Sequence, residues 1–327
     1  KRDVAGGKPD EANDAALTPD LRDTEEAFEP MMREFDEHEN VELLTGSEVI
    51  DSSGSVGDFT LTVQNGEGTE AVDVGSVIVA TGFDHFDPGE ETQQYGYYEF
   101  DDVITLPDAE EMLKADDFVR PSTGEDPESV CFIQCVGSRD RQIGNEWCSK
   151  VCCGIATKEA IEVKEQHPDA NVVIFYIDMR MYGFWEDELY WKAQEEHHVR
   201  FVRGVATEIT KAGDQVIVKG EDTTMGRPYE IPMDVVVLSV GMEPSEGTLG
   251  MSEILDVPLE KHGFIETTGG PLDTVTTKRE GVFVAGAAAG PKDLEDSISM
   301  AGSAAAKAVT TVRQQPTPAA DGGRPDE

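Results

Sequence analysis

Two apolar stretches that each end in glycine limit the folds open to this chain. Residues 77–82 read Val-Ile-Val-Ala-Thr-Gly, and residues 281–286 read Gly-Val-Phe-Val-Ala-Gly before an alanine-rich turn and a helical pattern. Because glycine has no Cβ, a buried strand that ends in it can turn sharply and let a ligand approach the backbone. Either stretch alone could be any strand end. Together, about 200 residues apart, they predict an α/β protein of two interleaved Rossmann-like dinucleotide-binding domains with a small β-meander.

The patterns of strands, helices and turns divide the chain into three parts and a tail. The first domain is predicted to be discontinuous, over residues 1–115 and 241–313, and an inserted unit covers residues 116–240. The tail, residues 314–327, is rich in proline, glycine and acids and is predicted to be disordered. Three short segments of the first part alternate like the strands of an antiparallel meander: residues 41–44, 59–63 and 71–74.

The opening residues, Lys-Arg-Asp-Val-Ala-Gly-Gly, resemble the segment that follows the second strand of a flavoprotein Rossmann unit. No G-x-G-x-x-G loop occurs near the beginning of the sequence. The N-terminal phosphate-binding loop is therefore missing from this sequence and is expected upstream of Lys1, so we expect a fragment or a shortened relative of such a protein. The alternative interpretation of the opening is a disordered acidic leader.

Acidic residues far outnumber basic ones, with 67 Asp and Glu against 26 Lys and Arg and a formal net charge of −41. Because salt at about 1 M shortens the screening length to about 3 Å, this charge predicts a protein from a halophilic, salt-accumulating cytoplasm. The alternative is a merely acidic protein. The charge argues against nucleic acid as a partner, since phosphates need a basic surface. No apolar run of about 20 residues and no signal segment occurs, which predicts a cytoplasmic protein without a membrane span.

Four of the five cysteines lie close together in the sequence: Cys135, Cys148, Cys152 and Cys153. They stand where a nicotinamide-binding βαβ unit has its Gly-rich loop, which disfavours nicotinamide binding although Asp178 ends the next strand as a ribose acid would. Four thiolates suffice for one 4Fe–4S cluster or one zinc ion. Neighbouring cysteines about 100° apart on a helix suit the four separate irons of a cluster better than one tetrahedral ion. A redox dithiol and structural thiols are the alternatives, and Cys131 is interpreted as a buried structural thiol.

Several short motifs within about residues 28–312 point to one protein family: Ala80-Thr81-Gly82-Phe83-Asp84, Cys135-Val136-Gly137-Ser138-Arg139-Asp140, Cys148 with Cys152-Cys153, Asp178-Met179-Arg180, Phe201-Val202-Arg203-Gly204 and Gly290-Pro291-Lys292-Asp293. With these motifs the chain resembles the A subunit of heterodisulfide reductase, an iron–sulfur flavoprotein of the thioredoxin-reductase-like, two-dinucleotide-domain type. The resemblance implies a 4Fe–4S cluster on the four clustered cysteines. It also implies electron transfer between FAD and the partner redox subunits of a heterodisulfide-reductase-like complex.

The same resemblance implies an FAD site built from two distant segments: Ala80, Thr81, Gly82, Gly286, Ala287, Pro291 and Lys292. Ala287 stands where many related flavoproteins have a ribitol-binding Asp, and the resembled family lacks that Asp as well. Lys292 is the candidate catalytic residue, since a cation near the flavin ring stabilises its reduced anion; the alternative is a surface lysine at a helix start.

Two further interpretations stay open beside an electron-transferring oxidoreductase subunit. One is a non-catalytic scaffold with a structural metal and a vestigial flavin site. The other is a nicotinamide-dependent disulfide oxidoreductase that uses the adjacent Cys152 and Cys153. Homodimer formation also stays open. A run of aromatic residues is expected to pack in the core rather than to form a docking face: Tyr182, Phe184, Trp185, Tyr190 and Trp191.

Overall fold

The computed structural model describes residues 6–8, 24–89 and 93–315. The predictions for the opening segment and for the tail lie almost wholly outside these residues. The strands are β1 (Glu48–Ser55), β2 (Asp58–Asn65), β3 (Gly68–Val74), β4 (Val77–Val79), β5 (Phe83–His85), β6 (Val103–Thr105), β7 (Ser129–Val136), β8 (Asn171–Tyr176), β9 (Arg200–Ala212), β10 (Gln215–Asp222), β11 (Arg227–Met233), β12 (Val235–Val240), β13 (Met242–Pro244) and β14 (Val282–Val284).

The α-helices are α1 (Thr24–Glu37), α2 (Leu106–Lys114), α3 (Cys152–Gln166), α4 (Lys192–Glu195), α5 (Glu246–Ile254) and α6 (Leu294–Arg313). A π-helical segment, Glu186–Trp191, leads into α4, and short 3₁₀ turns cover Gly270–Leu272 and Gly286–Ala289. Among the helices of the described residues, none combines the length and the apolar character that a bilayer span requires.

A seven-stranded sheet contains the strands of the segment predicted as an insert and one strand that precedes it. Its strand order is β11-β10-β9-β8-β7-β12-β6, in which the last five are parallel and β10 and β11 add an antiparallel edge. The middle strands are apolar along their length because both faces of a parallel sheet are covered, and every residue of β12 is buried. Helices α2 and α3 cover one face, where Ala109, Ala156 and Ala160 are fully buried in one apolar cluster.

The seven-stranded sheet begins earlier in the chain than the predicted insert. β6 pairs in parallel with β12, so that Val103 lies opposite Val236, and α2 follows β6 at once. The start of α2 is a capping box, in which the Thr105 hydroxyl accepts from the Asp108 N–H and the Asp108 carboxylate accepts from the Thr105 N–H. The boundary predicted at residue 116 therefore falls after two elements that pack with the insert.

The two glycine-terminated stretches are neighbours in space. β4 and β14 form a parallel pair with Val77 opposite Val282, and the Ala285 N–H continues the ladder by donating to the Val79 carbonyl at 2.9 Å. Because parallel strands point the same way, their carboxyl ends lie at one edge. An apolar cluster that includes Phe59 of β2 packs beneath this pair.

The β-meander is present, but its first strand lies further along the chain than predicted. The sequence pattern placed that strand at residues 41–44, whereas the structure forms β1, which pairs with β2 while β2 pairs with β3. β1 is mostly exposed and reads Glu-Val-Ile-Asp-Ser-Ser-Gly-Ser, so it lacks the alternation that identifies a half-buried strand. A tight turn, with Gly57 at φ +85°, joins β1 to β2 and so makes β1 the neighbour of β2 in the sheet.

Candidate functional site

The loop after β7 returns the chain to the point where it left the sheet. The Arg139 N–H donates to the Trp147 carbonyl at 2.7 Å, which closes the loop and places Cys148 beside the end of the strand that carries Cys135. The Trp147 ring N–H donates to the Met242 carbonyl at 2.9 Å and so fastens the loop to the strand end next to it. Cys135 and Cys148, at the two ends of this loop, are thereby brought to one edge of the sheet.

Backbone strain is concentrated in this loop. Six non-glycine residues of the described chain have a left-handed φ, and three of them belong to this segment: Cys135 at +64°, Arg139 at +57° and Lys150 at +68°. Such a conformation costs about 1 kcal/mol or more for each residue and persists only where the surroundings impose it. Clustered strain of this kind is typical of functional sites.

The four predicted thiols lie within electrostatic reach of one another, with Cys152 and Cys153 at the start of α3. The pKa of Cys135 is raised to about 11, mainly by burial and then by Cys153 and Cys148, although the nearby Arg139 acts in the opposite direction. The hydrogen bond to Cys153, then burial, then the other thiols hold the pKa of Cys152 well above its usual range. Cys131 is different, because burial alone raises its pKa. It is fully buried in β7, as a structural thiol would be.

The described residues do not form a site for a single metal ion. No three His, Cys, Asp or Glu side chains in this part of the chain come close enough to hold one, and all five cysteines are free thiols. A tetrahedral zinc ion needs its ligands at about 2.0–2.3 Å, whereas in a cluster each thiolate reaches its own iron. Neither arrangement is preformed among the described residues.

Asp178 organises two positive charges beside the thiols. Its carboxylate binds the Arg139 guanidinium at 2.7 and 3.0 Å and accepts from Arg180 at 3.1 Å. Arg139 also lies 4.0 Å from the Cys135 sulfur, and the backbone N–H of Arg180 donates to Cys153 and favours its thiolate. The Asp178 carboxylate, which stands where a ribose-binding acid would lie, is therefore already paired with two arginines.

Three buried polar side chains near the cysteines have no hydrogen-bond partner. They are the Gln134 amide and the hydroxyls of Ser138 and Ser239, which are 6%, 2% and 0% exposed. Gln134 and Ser239 each lie two residues beyond a residue of the apolar cluster that contains Cys152, so they share its face of the sheet. Because an unsatisfied buried polar group costs about 1–3 kcal/mol, these donors fit a bound acceptor such as the sulfides of a cluster.

At the second predicted site, the strand ends of β4 and β14 leave room for a flat ligand. Gly82 at φ +72° and Gly286 at φ +65° turn the chain away from the sheet. A Cβ on Gly82 would have no atom within 4 Å, and one on Gly286 would meet only Ser297, at 3.5 Å. Lys292 is half-buried, and this burial is the main cause of its lowered pKa. These features fit the ring end of a flavin.

The remaining predicted flavin residues contribute differently. The Thr81 and Thr248 hydroxyls form a hydrogen bond at 2.6 Å, and the Thr81 carbonyl accepts from the Ser245 hydroxyl at 3.2 Å. Thr81 therefore anchors the strand end to α5 and offers a ligand only its backbone. Ala287 is buried and Ala80 is exposed. The described residues contain no Gly-rich loop that could cradle a pyrophosphate.

Sequence reasoning missed three contributors to the site and misjudged part of the aromatic run. The arginine pair at Asp178 and the anchoring role of Thr248 join segments that no local pattern relates. Lys150 was also missed, although a basic residue between two of the clustered cysteines is visible in the sequence. Of the aromatic residues, Trp185 is buried in the core as expected, but Phe184 is 78% exposed. Tyr182 and Trp191 are exposed as well.

Comparison with known proteins shows which proteins this chain is similar to. Residues 156–310 match the family described as pyridine nucleotide-disulphide oxidoreductase. The chain is 40% identical over 243 residues to the A subunit of the H(2):CoB-CoM heterodisulfide,ferredoxin reductase of Methanothermobacter thermautotrophicus, covering 72% of this chain and 37% of that protein. It is 39% identical over 247 residues to the second iron-sulfur A subunit of the CoB–CoM heterodisulfide reductase of Methanopyrus kandleri, covering 73% of this chain and 38% of that protein.

Solved structures confirm the predicted fold class. The Lactococcus lactis thioredoxin reductase superposes with a TM-score of 0.63 at 17% identity, covering 96% of this chain and 90% of that one. The T. acidophilum thioredoxin reductase gives 0.59 at 19% identity, covering 94% and 86%. The chain spans little more than a third of the length of the curated relatives it matches. Within that span, the chain belongs to the family of heterodisulfide reductase A subunits.

Proposed function

We propose that this chain is the flavin- and cluster-bearing part of an iron–sulfur flavoprotein oxidoreductase, which passes electrons between FAD and a 4Fe–4S cluster toward partner redox subunits. The observation that carries the proposal is the gathering of Cys135, Cys148, Cys152 and Cys153 where a nucleotide-binding unit would hold phosphates. When bound, FAD exchanges one or two electrons and the cluster exchanges one at a time.

The four thiols would each hold one iron, and their surroundings suit that role. Four thiolates bring concentrated negative charge into a largely buried site, which is costly unless it is compensated. Arg139 and Arg180 supply positive charge, and Asp178 holds both guanidinium groups in place. The unpartnered donors Gln134 and Ser239 would satisfy cluster sulfides.

For the flavin, the backbone at Gly82, Gly286 and Ala287 would line the ring system, and Lys292 would place a cation beside it. Ala80, Thr81 and Pro291 would complete the walls of the site. A half-buried ammonium group favours binding of an electron-rich ring edge, because desolvation strengthens its field. The names of the relatives, which are subunits of heterodisulfide reductases, support partner subunits that carry further redox groups.

Two matched variants test the flavin site in anaerobically purified protein. Gly82 and Gly124 share φ +72°, and a Cβ on either meets no atom within 4 Å. Gly82→Leu is expected to lose the flavin absorption bands and the extractable FAD, while Gly124→Leu keeps both. Wild-type protein that carries no flavin after reconstitution with FAD contradicts the proposal.

A second candidate function rests on Cys152 and Cys153. The hydrogen bond from Cys152 lowers the pKa of Cys153, while the pKa of Cys152 is raised. A split of this kind is typical of redox dithiols, in which one thiolate attacks and the other resolves. Iron-free, fully active protein that forms a reversible disulfide at this pair would favour a disulfide oxidoreductase.

A further inference from the structure

Lys150 connects the cysteine loop to the segment that carries the candidate flavin site. Its ammonium nitrogen lies 2.8 Å from Oδ2 of Asp293 and also contacts the carboxylate of Asp296. The contact is well shielded, since 28% of the Lys150 side chain and 9% of the Asp293 side chain are exposed. The Lys150–Asp293 pair is therefore screened less by salt than a surface pair, whereas the Asp296 side chain is 41% exposed.

Asp293, one of the two carboxylates that Lys150 contacts, also fixes the start of α6. Asp293 caps this helix by accepting from the Asp296 N–H at 2.8 Å, and its carbonyl accepts from the Ser297 N–H at 3.0 Å. Lys292, the candidate flavin residue, immediately precedes it. A movement of Lys150 is therefore transmitted to the turn that would line the flavin.

The backbone of the same residue contacts a cysteine. The Lys150 N–H donates to the Cys148 sulfur at 3.4 Å, and Lys150 has a left-handed φ of +68°. Such a conformation is unfavourable for lysine and is maintained here by contacts on both sides. Lys150 thus holds a cysteine with its backbone and the start of α6 with its side chain.

We propose that Lys150 is a positioning residue that sets the separation and orientation of the cysteine centre relative to the flavin site, so that electrons pass rapidly between them. The inference rests on the proposed function. It assigns to Lys150 no contact with either cofactor. Its effect comes through Cys148 on one side and through Asp293 on the other.

The test compares Lys150→Met with Lys261→Met in the full chain with its cofactors. Lys261 is a matched control, because it also joins the cysteine loop to residues beyond 241, through Glu146 at 3.3 Å, but is 71% exposed. Flavin is photoreduced rapidly, and the transfer of electrons to the cluster is followed by absorbance. Lys150→Met is expected to slow the transfer severalfold, because the distance and orientation between the two centres are then no longer fixed.

Two further readouts separate positioning from general damage. Lys150→Arg, which retains the charge and reach, is expected to restore most of the rate. In cofactor-free protein, hydrogen exchange should rise in Lys150→Met at residues 148–151 and 290–297, and not in Lys261→Met. An unchanged rate together with unchanged exchange overturns the inference.

If Lys150→Met fails to retain its cofactors, the double variant Asp293→Asn with Asp296→Asn replaces it. Asparagine caps a helix as well as aspartate does, so this variant removes the ion pairs and leaves both the cap and the Lys150 backbone in place. A wild-type rate in the double variant overturns the inference. Wild-type protein without flavin or cluster contradicts the proposed function instead.

Discussion

Arg139 and Asp178 form a two-point ion pair, with Nη1 to Oδ1 at 2.7 Å and Nη2 to Oδ2 at 3.0 Å. The pair joins the loop after β7 to the end of β8. The same guanidinium lies 4.0 Å from the Cys135 sulfur. A planar, always-charged group held in this way is a fixed source of positive potential beside the thiols.

Replacing Arg139 by Gln is expected to lower the reduction potential of the cluster, because a nearby cation favours the more negative, reduced form. Arg139→Lys should have a smaller effect, since lysine keeps the charge and loses only the two-point pairing. The measurement is a redox titration followed by electron paramagnetic resonance. Arg141→Gln is the control in the same loop, with a side chain that is 89% exposed. Equal reduction potentials in Arg139→Gln and wild type would show that Arg139 does not influence the cluster.

Glu159→Gln is expected to stabilise the protein, and more so at higher pH. Glu159 is fully buried in α3, neither of its oxygens has a hydrogen-bond partner, and burial is the main cause of its strongly raised pKa. A raised pKa in the folded state means that stability falls as pH rises above the ordinary value of 4.5. The expected gain at pH 8 is about 1–3 kcal/mol.

Urea unfolding of Glu159→Gln and wild type between about pH 5 and pH 8 measures this difference. Glu165→Gln, in the same helix with a side chain 60% exposed, serves as the control. A pH-independent difference between Glu159→Gln and wild type would show that the carboxyl does not titrate as argued.

Gly137→Ala is expected to destabilise the fold by more than about 2 kcal/mol, because its Cβ would lie 2.0 Å from the Phe86 ring, which is itself buried. Gly144→Ala in the same loop has a similarly positive φ, but its Cβ would meet nothing within 4 Å. It should cost only the strain of about 1 kcal/mol. Thermal unfolding of both variants measures the difference, and equal losses would refute the steric argument.

The net charge of −41 predicts that KCl stabilises the protein. Between about 0.1 M and 1 M salt the screening length falls from about 10 Å to about 3 Å, which weakens the repulsion among the carboxylates. The midpoint of thermal unfolding should therefore rise over this range. A midpoint that stays constant or falls with KCl would rule out the halophilic interpretation.

The sequence allowed prediction of the parts of the fold that depend on local patterns. Apolar runs ending in glycine identify buried strands, and both β4 and β14 were predicted as such strands and assigned to one flavin site. β1 was misplaced because its exposed, polar residues carry no such pattern. The links from Arg139 to Asp178 and from Lys150 to Asp293 were beyond reach, since side-chain pairing across long separations leaves no local periodicity.

The most direct test of the central claim is the iron content of anaerobically purified protein in which each cysteine is replaced in turn by alanine. Wild type and Cys131→Ala should each carry about four irons and four labile sulfides per chain, with the paramagnetic signal of a reduced 4Fe–4S cluster. Cys135→Ala, Cys148→Ala, Cys152→Ala and Cys153→Ala should each lose that signal. Iron-free wild-type protein, or equal loss in Cys131→Ala, would contradict a cluster at these four residues.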